Sequence, residues 1–400
     1  MTDPSRRAPL SADLLPASGA WQPGDPAGDR QFLTLPTNRA FVLEGGGILR
    51  HVTVAYETWG ELDADGGNAV LVCHALTGDS HAAGRSGPGH PTEGWWNGLI
   101  GPGRALDTDR LFVVCVNVLG GCQGSTGPSS PVPDTDTPYG SSFPVVSIRD
   151  MVRTQAAVAD HLDIERWRAV VGGSMGGMQA LEWGVMYPER VAGVAAIATT
   201  VAASAQQIAL SSVQRTSIAL DPKWRGGDYY DAAPGEGPHL GLALARQSAQ
   251  ISYRTEGVFN DRFGRKQLDP LDDRFTLWQR FDVEGYLDYH GAKLARRFDA
   301  NSYLVINRAM DLHDLGRGRG GMERALARIA APVLTIAIDS DTLYPAYQQE
   351  LIHETVSSLG GEATHVQISS PDGHDAFLLE TDAVGDALVP FLSKLEKDNR

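Results

Sequence analysis

The run Val170-Val171-Gly172-Gly173-Ser174-Met175-Gly176-Gly177 decides how this chain folds. A short apolar strand ends in glycines, Ser174 stands at the apex, and a helix is expected directly behind it. Gly172, Ser174 and Gly176 form the pattern Gly-x-Ser-x-Gly, in which small residues allow a sharp and strained turn between strand and helix. We therefore predict that Ser174 presents its hydroxyl above a sheet as a nucleophile.

Two backbone N–H groups are expected to stabilise the oxyanion that forms when this serine attacks a carbonyl. The helix predicted at Gln179 to Met186 directs its first N–H groups toward the serine, and the N–H of Met175 is the first donor. The second should follow an earlier strand, Ala69 to Cys73, and we place it at the N–H of Leu76. His74 precedes that turn without an evident catalytic partner and is interpreted as structural.

A serine hydroxyl is a weak nucleophile, so it needs a histidine base and an acid that orients the histidine. In this arrangement the chain order is serine, acid, histidine. Of eleven histidines, His374 is the best placed, in a loop between the last strand and the C-terminal helix. Asp339 and Asp341 both follow the preceding strand. Asp341 is preferred because it lies further past the strand end, but position alone leaves both open.

The bulk composition narrows the class of protein. The chain has 400 residues, of which 42% are hydrophobic, and a net charge of −15. This length favours a core domain with a sizeable insertion. The acidic balance argues against nucleic acid and anionic membranes as partners. No apolar run is long enough to span a membrane.

The cysteines indicate a reduced compartment. Cys73, Cys115 and Cys122 show no Cys-x-x-Cys spacing. Two of them lie in apolar strands, where buried free thiols are common. We therefore predict a cytoplasmic protein without disulfides. Cys122 is interpreted as a loop residue rather than a nucleophile, since nothing near it in sequence offers a base.

Apolar runs alternate with helical patterns over most of the chain. Several runs are uninterrupted, which is typical of strands buried on both faces of a partly parallel α/β sheet. Ser147 to His161 has an amphipathic pattern, with Ser147 and Asp150 as a capping pair. The predicted strands are Val52–Tyr56, Ala69–Cys73, Leu111–Val118, Ala169–Val171, Val191–Ala198, Pro332–Ile338 and His365–Ile368.

Four segments are predicted along the chain. Residues 1–30 contain five prolines among Gly, Ala and Asp and are expected to form a flexible leader. Residues 31–203 and 330–400 form the two parts of the α/β core. Between them, residues 204–329 lack strand-like runs and carry helical patterns at 240–254, 283–298 and 301–312, so we expect a helical insertion.

Five segments together resemble the homoserine O-acetyltransferase family. The resemblance implies an α/β-hydrolase fold with a helical lid inserted before the last strands. It covers nearly all of the chain after the leader. The segments are His74–Gly78, Asn117–Ser130, Gly172–Gln179, Asp339–Pro345 and Gly373–Leu378.

The resemblance implies roles for individual residues. Ser174, Asp341 and His374 would be nucleophile, acid and base. Arg246 would bind the homoserine carboxylate in a bidentate geometry that lysine does not reproduce. The alternative for Arg246 is an intramolecular ion pair.

Two further residues complete the expected acceptor site. Asp375 would pair with the substrate ammonium, and its alternative role is that of a helix N-cap. Tyr253 lies two helical turns beyond Arg246 on the same face and would add a hydroxyl contact.

The implied activity is acetyl transfer from acetyl-CoA to the hydroxyl of L-homoserine, by a homodimer that associates through the lid. No bound cofactor and no metal site are expected. Alternatives are a succinyl-CoA donor, a serine acceptor, or an esterase or thioesterase on the same fold. Arg317 and Arg319 are candidates for contact with CoA phosphates, although a solvated loop is the favoured interpretation.

Overall fold

The computed structural model describes residues 15–36, 38–268 and 279–398. Ten strands are found in these residues, eight of them in one sheet and two, β2 and β3, in a separate pair. Their bounds are β1 Gln31–Thr34, β2 Phe41–Val42, β3 Ile48–Leu49, β4 Thr53–Trp59, β5 Ala69–Cys73, β6 Phe112–Val116, β7 Ala169–Gly173, β8 Val194–Ile197, β9 Val333–Ile338 and β10 Ala363–Ile368.

The large sheet has the order β1-β4-β6-β5-β7-β8-β9-β10. From β6 to β10 neighbouring strands are parallel, whereas β1 and β4 pair antiparallel at one edge. Every residue of β5 to β9 is buried, which explains the uninterrupted apolar runs. The predicted α/β class is confirmed.

Helices cover both faces of the sheet and fill the interval between β8 and β9. The α-helices are α1 Ile148–His161, α2 Met175–Met186, α3 Ala205–Ala219, α4 His239–Tyr253, α5 Glu256–Arg262, α6 Asp282–Ala295, α7 Ala300–Asp311, α8 Met322–Leu326, α9 Tyr347–Ser358, α10 Ala376–Leu379 and α11 Thr381–Asp398. Short 3-10 turns occur at Gly140–Ser142, Pro188–Arg190, Pro222–Gly227 and Gly373–Asp375.

The start of α1 matches its sequence signal. The Ser147 side chain accepts from the Asp150 N–H, and the Asp150 carboxylate accepts from the Ser147 N–H at 3.0 Å, which is a capping box. The helix α2 begins at Met175, four residues before the predicted start at Gln179. The glycines at its start therefore belong to the helix rather than to a preceding loop.

In its described residues, the region between β8 and β9 contains the helices α3 to α8 joined by loops, and none of the named strands. The helices α4, α6 and α7 coincide with the three predicted helical patterns, each beginning one residue earlier and ending one to three residues earlier. Residues 269–278 of this region lie outside the described residues. The boundaries 204 and 329 of the insertion stay a prediction.

The flexible leader expected for residues 1–30 is wrong for residues 15–21, which pack against the fold. Ala17 and Ala20 are buried, and the Trp21 N–H donates to the Cys122 carbonyl at 2.9 Å. A Cβ at Gly19 would lie 2.6 Å from the backbone nitrogen of Phe298. Composition alone predicts flexibility incorrectly here, because the small residues allow close packing against the rest of the fold. Residues 1–14 lie outside the described residues.

Candidate active site

Ser174 occupies the strained turn that the sequence predicts. It has φ 57° and ψ −122°, a conformation that costs a non-glycine residue on the order of 1–3 kcal/mol. Two glycines make the turn sterically feasible. A Cβ at Gly172 would lie 2.3 Å from the Gly176 backbone, and one at Gly176 would lie 2.1 Å from the Cys73 carbonyl oxygen.

The turn is anchored on both sides of the serine by hydrogen bonds. The Ser174 N–H donates to the Ile197 carbonyl at 2.9 Å, which ties the turn to the end of β8. The Thr199 hydroxyl donates to the Ser174 carbonyl at 2.8 Å. These bonds hold the strained backbone in place and leave the Ser174 hydroxyl available for chemistry.

His374 lies between Ser174 and Asp341. Its Nε2 is 2.9 Å from the Ser174 Oγ, and its Nδ1 is 2.7 Å from the Asp341 Oδ2. Because a carboxylate only accepts hydrogen bonds, Nδ1 carries the proton and Nε2 is free to accept the serine proton. The three predicted residues are thus brought together in the geometry of a nucleophile, a base and an orienting acid.

The two candidate acids have different surroundings. The second oxygen of Asp341 accepts from the N–H groups of Leu343 at 2.8 Å and Tyr344 at 2.9 Å, which fixes the carboxylate toward His374. Asp339 accepts instead from the Ser369 hydroxyl at 2.6 Å, and this bond lowers the pKa of Asp339. Asp339 therefore caps the neighbouring loop and does not reach the histidine.

Aromatic rings surround His374 and limit its contact with water. The ring centroids of Tyr344, Phe377 and Tyr253 lie 5.0, 5.3 and 5.7 Å from that of His374. Burial raises the pKa of Tyr253 and of Tyr344, so both phenols remain protonated donors. The sequence did not single out Tyr344 or Phe377, because large apolar residues after a strand are ordinary.

The loop after β5 is rigidly held. The Gly78 N–H donates to the Ala75 carbonyl at 2.9 Å, and His74 Nδ1 donates to the same oxygen at 2.8 Å. His74 Nε2 accepts from the Val118 N–H at 3.1 Å. Both ring nitrogens of His74 are therefore occupied, in agreement with a structural role.

The expected oxyanion donors are unused within the protein. In the described parts of the chain, neither the Leu76 N–H nor the Met175 N–H donates a hydrogen bond to a protein group. A backbone N–H without a partner is rare in a protein interior. Both groups are therefore free to bind a ligand oxygen.

Arg246 lies in α4 and faces the site. Its guanidinium carbon is 5.2 Å from the Tyr253 ring centroid, and Nη1 lies 3.4 Å from the Thr77 hydroxyl. Among the described residues no carboxylate forms an ion pair with Arg246, so the alternative of an intramolecular pair is not realised there. The side chain is therefore available for an anionic ligand.

Asp375 has a partner that the sequence did not reveal. Its Oδ2 lies 3.1 Å from the Arg254 Nε and accepts from the Gln250 amide at 3.3 Å. Its side chain makes no N-capping hydrogen bond to α10. Arg254 also contacts Asp372. Arg254 was missed because its partners lie more than one hundred residues away in sequence.

Arg317 and Arg319 are paired within the protein. Arg317 contacts Glu44 at 3.0 Å, and Arg319 contacts Glu182 at 2.7 Å. The solvated loop expected here is wrong for Arg319, whose side chain is only 9% exposed and pairs with the buried Glu182. Neither arginine needs an external phosphate to balance its charge.

The fold brings together a cluster of possible metal ligands that the sequence patterns do not predict. Donor atoms of Asp29, Glu57, His81 and His90 lie within 4.8 Å of one another. However, the two imidazole rings are stacked, with centroids 3.7 Å apart and planes at 10°. Ring nitrogens bind a metal through lone pairs in the ring plane, so nearly parallel rings do not converge on one ion. His90 Nε2 also accepts from the Asp29 N–H at 2.9 Å. The geometry favours a hydrogen-bonded cluster.

The environment of the three cysteine thiols makes them poor nucleophiles. Cys73, Cys115 and Cys122 are free and buried, and burial raises the pKa of each thiol. A thiol with a raised pKa is a poor nucleophile.

Within the described residues, no helix is both long and apolar enough to cross a membrane.

Comparisons with known proteins agree with this geometry. Residues 68–381 match the family described as alpha/beta hydrolase fold. The chain is 54% identical to the homoserine O-acetyltransferase of Clavibacter michiganensis subsp. michiganensis over 397 residues, which cover 98% of this chain and 99% of that protein. This alignment extends into residues 1–30, beyond the segments that carry the resemblance.

Two solved structures are also similar. The homoserine O-acetyltransferase of Bacillus anthracis superposes with a TM-score of 0.83 at 29% identity, covering 91% of this chain and 97% of that one. Esterase E22 superposes with the same TM-score at 31% identity, covering 91% and 99%. The chain thus has an α/β-hydrolase fold with a nucleophilic-serine geometry. It belongs to the homoserine O-acetyltransferase family.

Proposed function

We propose that this protein transfers an acetyl group from acetyl-CoA to the side-chain hydroxyl of L-homoserine, releasing CoA and O-acetyl-L-homoserine. One observation carries the proposal. The Ser174–His374–Asp341 arrangement lies next to Arg246, a cation without a carboxylate partner among the described residues. The first feature supports acyl transfer, and the second supports an anionic acceptor.

The first half-reaction forms an acetyl-enzyme. His374 Nε2 takes the Ser174 proton while Oγ attacks the thioester carbonyl, and the Leu76 and Met175 N–H groups bind the resulting oxyanion. The tetrahedral intermediate collapses, the carbon–sulfur bond breaks, and His374 returns the proton to the departing CoA thiolate. Asp341 holds the imidazole in the required tautomer and stabilises its charged form.

The second half-reaction transfers the acetyl group to the acceptor. Arg246 binds the homoserine carboxylate and Asp375 binds its ammonium, with Tyr253 beside them. His374 deprotonates the acceptor hydroxyl, whose oxygen attacks the acetyl-enzyme, and Ser174 recovers its proton. The Oδ1 of Asp375 supports this role because no described residue donates to it.

Transfer rather than hydrolysis requires that the acceptor hydroxyl occupy the place of water. Binding at two charged groups raises its effective concentration at the acetyl-enzyme. We infer that the helices between β8 and β9 act as the lid that excludes water. The close approach of Gly373 to the Tyr253 carbonyl, where a Cβ would lie 2.8 Å away, supports a lid seated directly on the histidine loop.

A homodimer through this lid is also proposed. Leu240, Leu244 and Ile251 of α4 are 54, 52 and 55% exposed. Exposed apolar residues grouped on one helix favour an interface. We expect Leu244→Glu to shift the protein to monomer in size-exclusion chromatography with light scattering, whereas Val389→Glu on the exposed side of α11 leaves the dimer intact. A monomeric wild type would contradict the dimer.

The buried free thiols support a reduced, cytoplasmic setting.

The deciding experiment measures thiol release from acetyl-CoA and from succinyl-CoA, each with and without homoserine. We expect release from acetyl-CoA that depends on homoserine and disappears in Ser174→Ala. Arg246→Lys should raise KM for homoserine by about 10- to 100-fold, because lysine lacks the bidentate fork. A preference for succinyl-CoA would change the donor. Equal release without homoserine would support an esterase, the activity named for the similar structure E22.

A further inference from the structure

Arg297 contacts the loop that carries an expected oxyanion donor. It follows the C-terminus of α6, and its Nη2 donates to the Thr77 carbonyl at 2.9 Å. Thr77 comes directly after Leu76, in the turn closed by the Gly78 N–H and the Ala75 carbonyl. The guanidinium therefore bonds the turn from the side of the lid helices, while His74 holds it from the side of the core.

The backbone of Arg297 is held in place by two other segments of the chain. The Gln123 amide donates to the Arg297 carbonyl at 2.6 Å, and the Gln123 Oε1 accepts from Arg30 Nη2 at 3.0 Å. A Cβ at Gly19 would lie 2.8 Å from the Arg297 backbone nitrogen. The segment before β1 and the loop around Gln123 thus brace the backbone from which this guanidinium extends.

The electrostatic environment of Arg297 disfavours its positive charge. Placing a charged side chain there costs free energy that a purely structural hydrogen bond would not require. Its side chain is 20% exposed, and its nearest carboxylate, Asp79, is 3.9 Å away. Burial lowers the pKa of Arg297, and the charge of Arg246 lowers it further although Asp79 raises it. Arginine remains protonated in proteins. Two partly buried guanidinium groups thus approach Thr77, and Asp79 is the one carboxylate recorded against Arg297 in the described residues.

We propose that Arg297 is a positioning residue that holds the Thr77 peptide so that the neighbouring Leu76 N–H points at the oxyanion before the substrate arrives. The inference rests on the proposed acyl-serine chemistry. A preorganised donor avoids reorganisation during the reaction, and misplacement of one oxyanion donor slows acyl transfer with little effect on substrate binding. Arg297 acts through the loop and does not touch the reacting atoms.

The test uses p-nitrophenyl acetate, a neutral acyl donor that offers no anion for an arginine to bind. We expect Arg297→Met to lower the rate of the acylation burst by about 10- to 100-fold without changing KM for the ester. Arg297→Lys keeps the charge and one donor and should fall between wild type and Arg297→Met. Added guanidinium at a non-denaturing concentration should restore part of the rate in Arg297→Ala.

Lys293→Met is the matched control. It removes a positive charge one helical turn away on α6 without touching Thr77, and it should leave the burst unchanged. Thermal unfolding of each variant shows whether it is folded. A normal burst in folded Arg297→Met would overturn the proposal, and so would an equal loss in Lys293→Met. Failure of the proposed function appears separately, as wild-type enzyme that forms the acetyl-enzyme but does not pass it to homoserine.

Discussion

The Nε of Arg254 lies 3.1 Å from the Oδ2 of Asp375, so a cation at the end of α4 is paired with the residue directly after His374. The same guanidinium contacts Asp372, and the Thr255 hydroxyl donates to the Pro371 carbonyl at 2.6 Å. These contacts join α4 to the loop of His374. The proposed acceptor contact at Asp375 and the placement of His374 therefore share one structural connection.

Asp375→Asn should weaken homoserine binding selectively. The substitution removes the negative charge offered to the ammonium group, and a hydrogen bond to a charged group contributes about 1.5–3 kcal/mol. We expect KM for homoserine to rise by about 10- to 100-fold while acylation by p-nitrophenyl acetate changes little. Steady-state kinetics with each substrate separates the two effects.

Asp372→Asn is the control for that experiment, since it removes a carboxylate from the same arginine without altering the residue proposed to bind the ammonium. Its KM for homoserine should stay near that of wild type, whereas thermal stability should fall. An equal rise in KM for both variants would show that Asp375 acts only through the loop geometry.

Asp341→Asn should lower kcat by about 10⁴-fold, because the asparagine amide would favour the wrong tautomer of His374. Asp339→Asn provides the comparison, since Asp339 accepts from Ser369 and Ser370 rather than from the histidine. It should keep kcat within about 2-fold of wild type and lose some stability through the weakened loop bonds. A similar loss of kcat in both variants would contradict the assignment of Asp341.

Gly176→Ala should prevent folding or leave an insoluble protein, because its Cβ would lie 2.1 Å from the Cys73 carbonyl oxygen in the middle of the sheet. Such an overlap with backbone cannot be relieved by a side-chain rotation. Gly45→Ala is the matched control, because the nearest atom to its added Cβ would be the Val145 carbonyl oxygen at 4.0 Å. Soluble yield and the melting temperature give the answer, and a stable Gly176→Ala protein would refute the predicted close approach.

His290 should make stability depend on pH below neutrality. Burial, followed by the charges of Arg246, Lys293, Arg254 and Arg262, lowers its pKa from 6.5 to about 4. Between these values the unfolded chain binds the proton more tightly, so stability from this group is complete above pH 6.5 and falls as the pH decreases toward 4.

Urea unfolding at several pH values measures that dependence. We expect His290→Gln to lose less stability than wild type between pH 6.5 and 4.5. Parallel curves for the two proteins would show that His290 titrates normally.

Features encoded by neighbouring residues could be predicted from sequence. The turn at Ser174 and the capping box at Ser147 depend on side chains within a few positions of each other, so their patterns are visible in the chain. The start of α2 was placed too late because glycine is a poor helix former, and only its approach to β5 explains Gly176 inside a helix.

Features that depend on distant pairs could not be predicted in this way. Arg254 and Arg297 look like ordinary helix-end cations until the fold brings their partners to them. The segment before β1 looked flexible because prolines and glycines resemble a linker, whereas Gly19 is needed for contact with the backbone at Phe298. Position could rank Asp341 above Asp339, but only the folded loop shows which carboxylate faces His374.

Ser174 and His374 are 200 residues apart in the chain. A ribosome that adds about 5–20 residues per second needs on the order of 10 to 40 seconds to deliver the base after the nucleophile. Throughout that interval the nascent chain holds a serine that has no partner to accept its proton, so it does not consume thioesters. The site therefore becomes able to react only late in synthesis, when the loop that carries His374 packs beside the turn at Ser174.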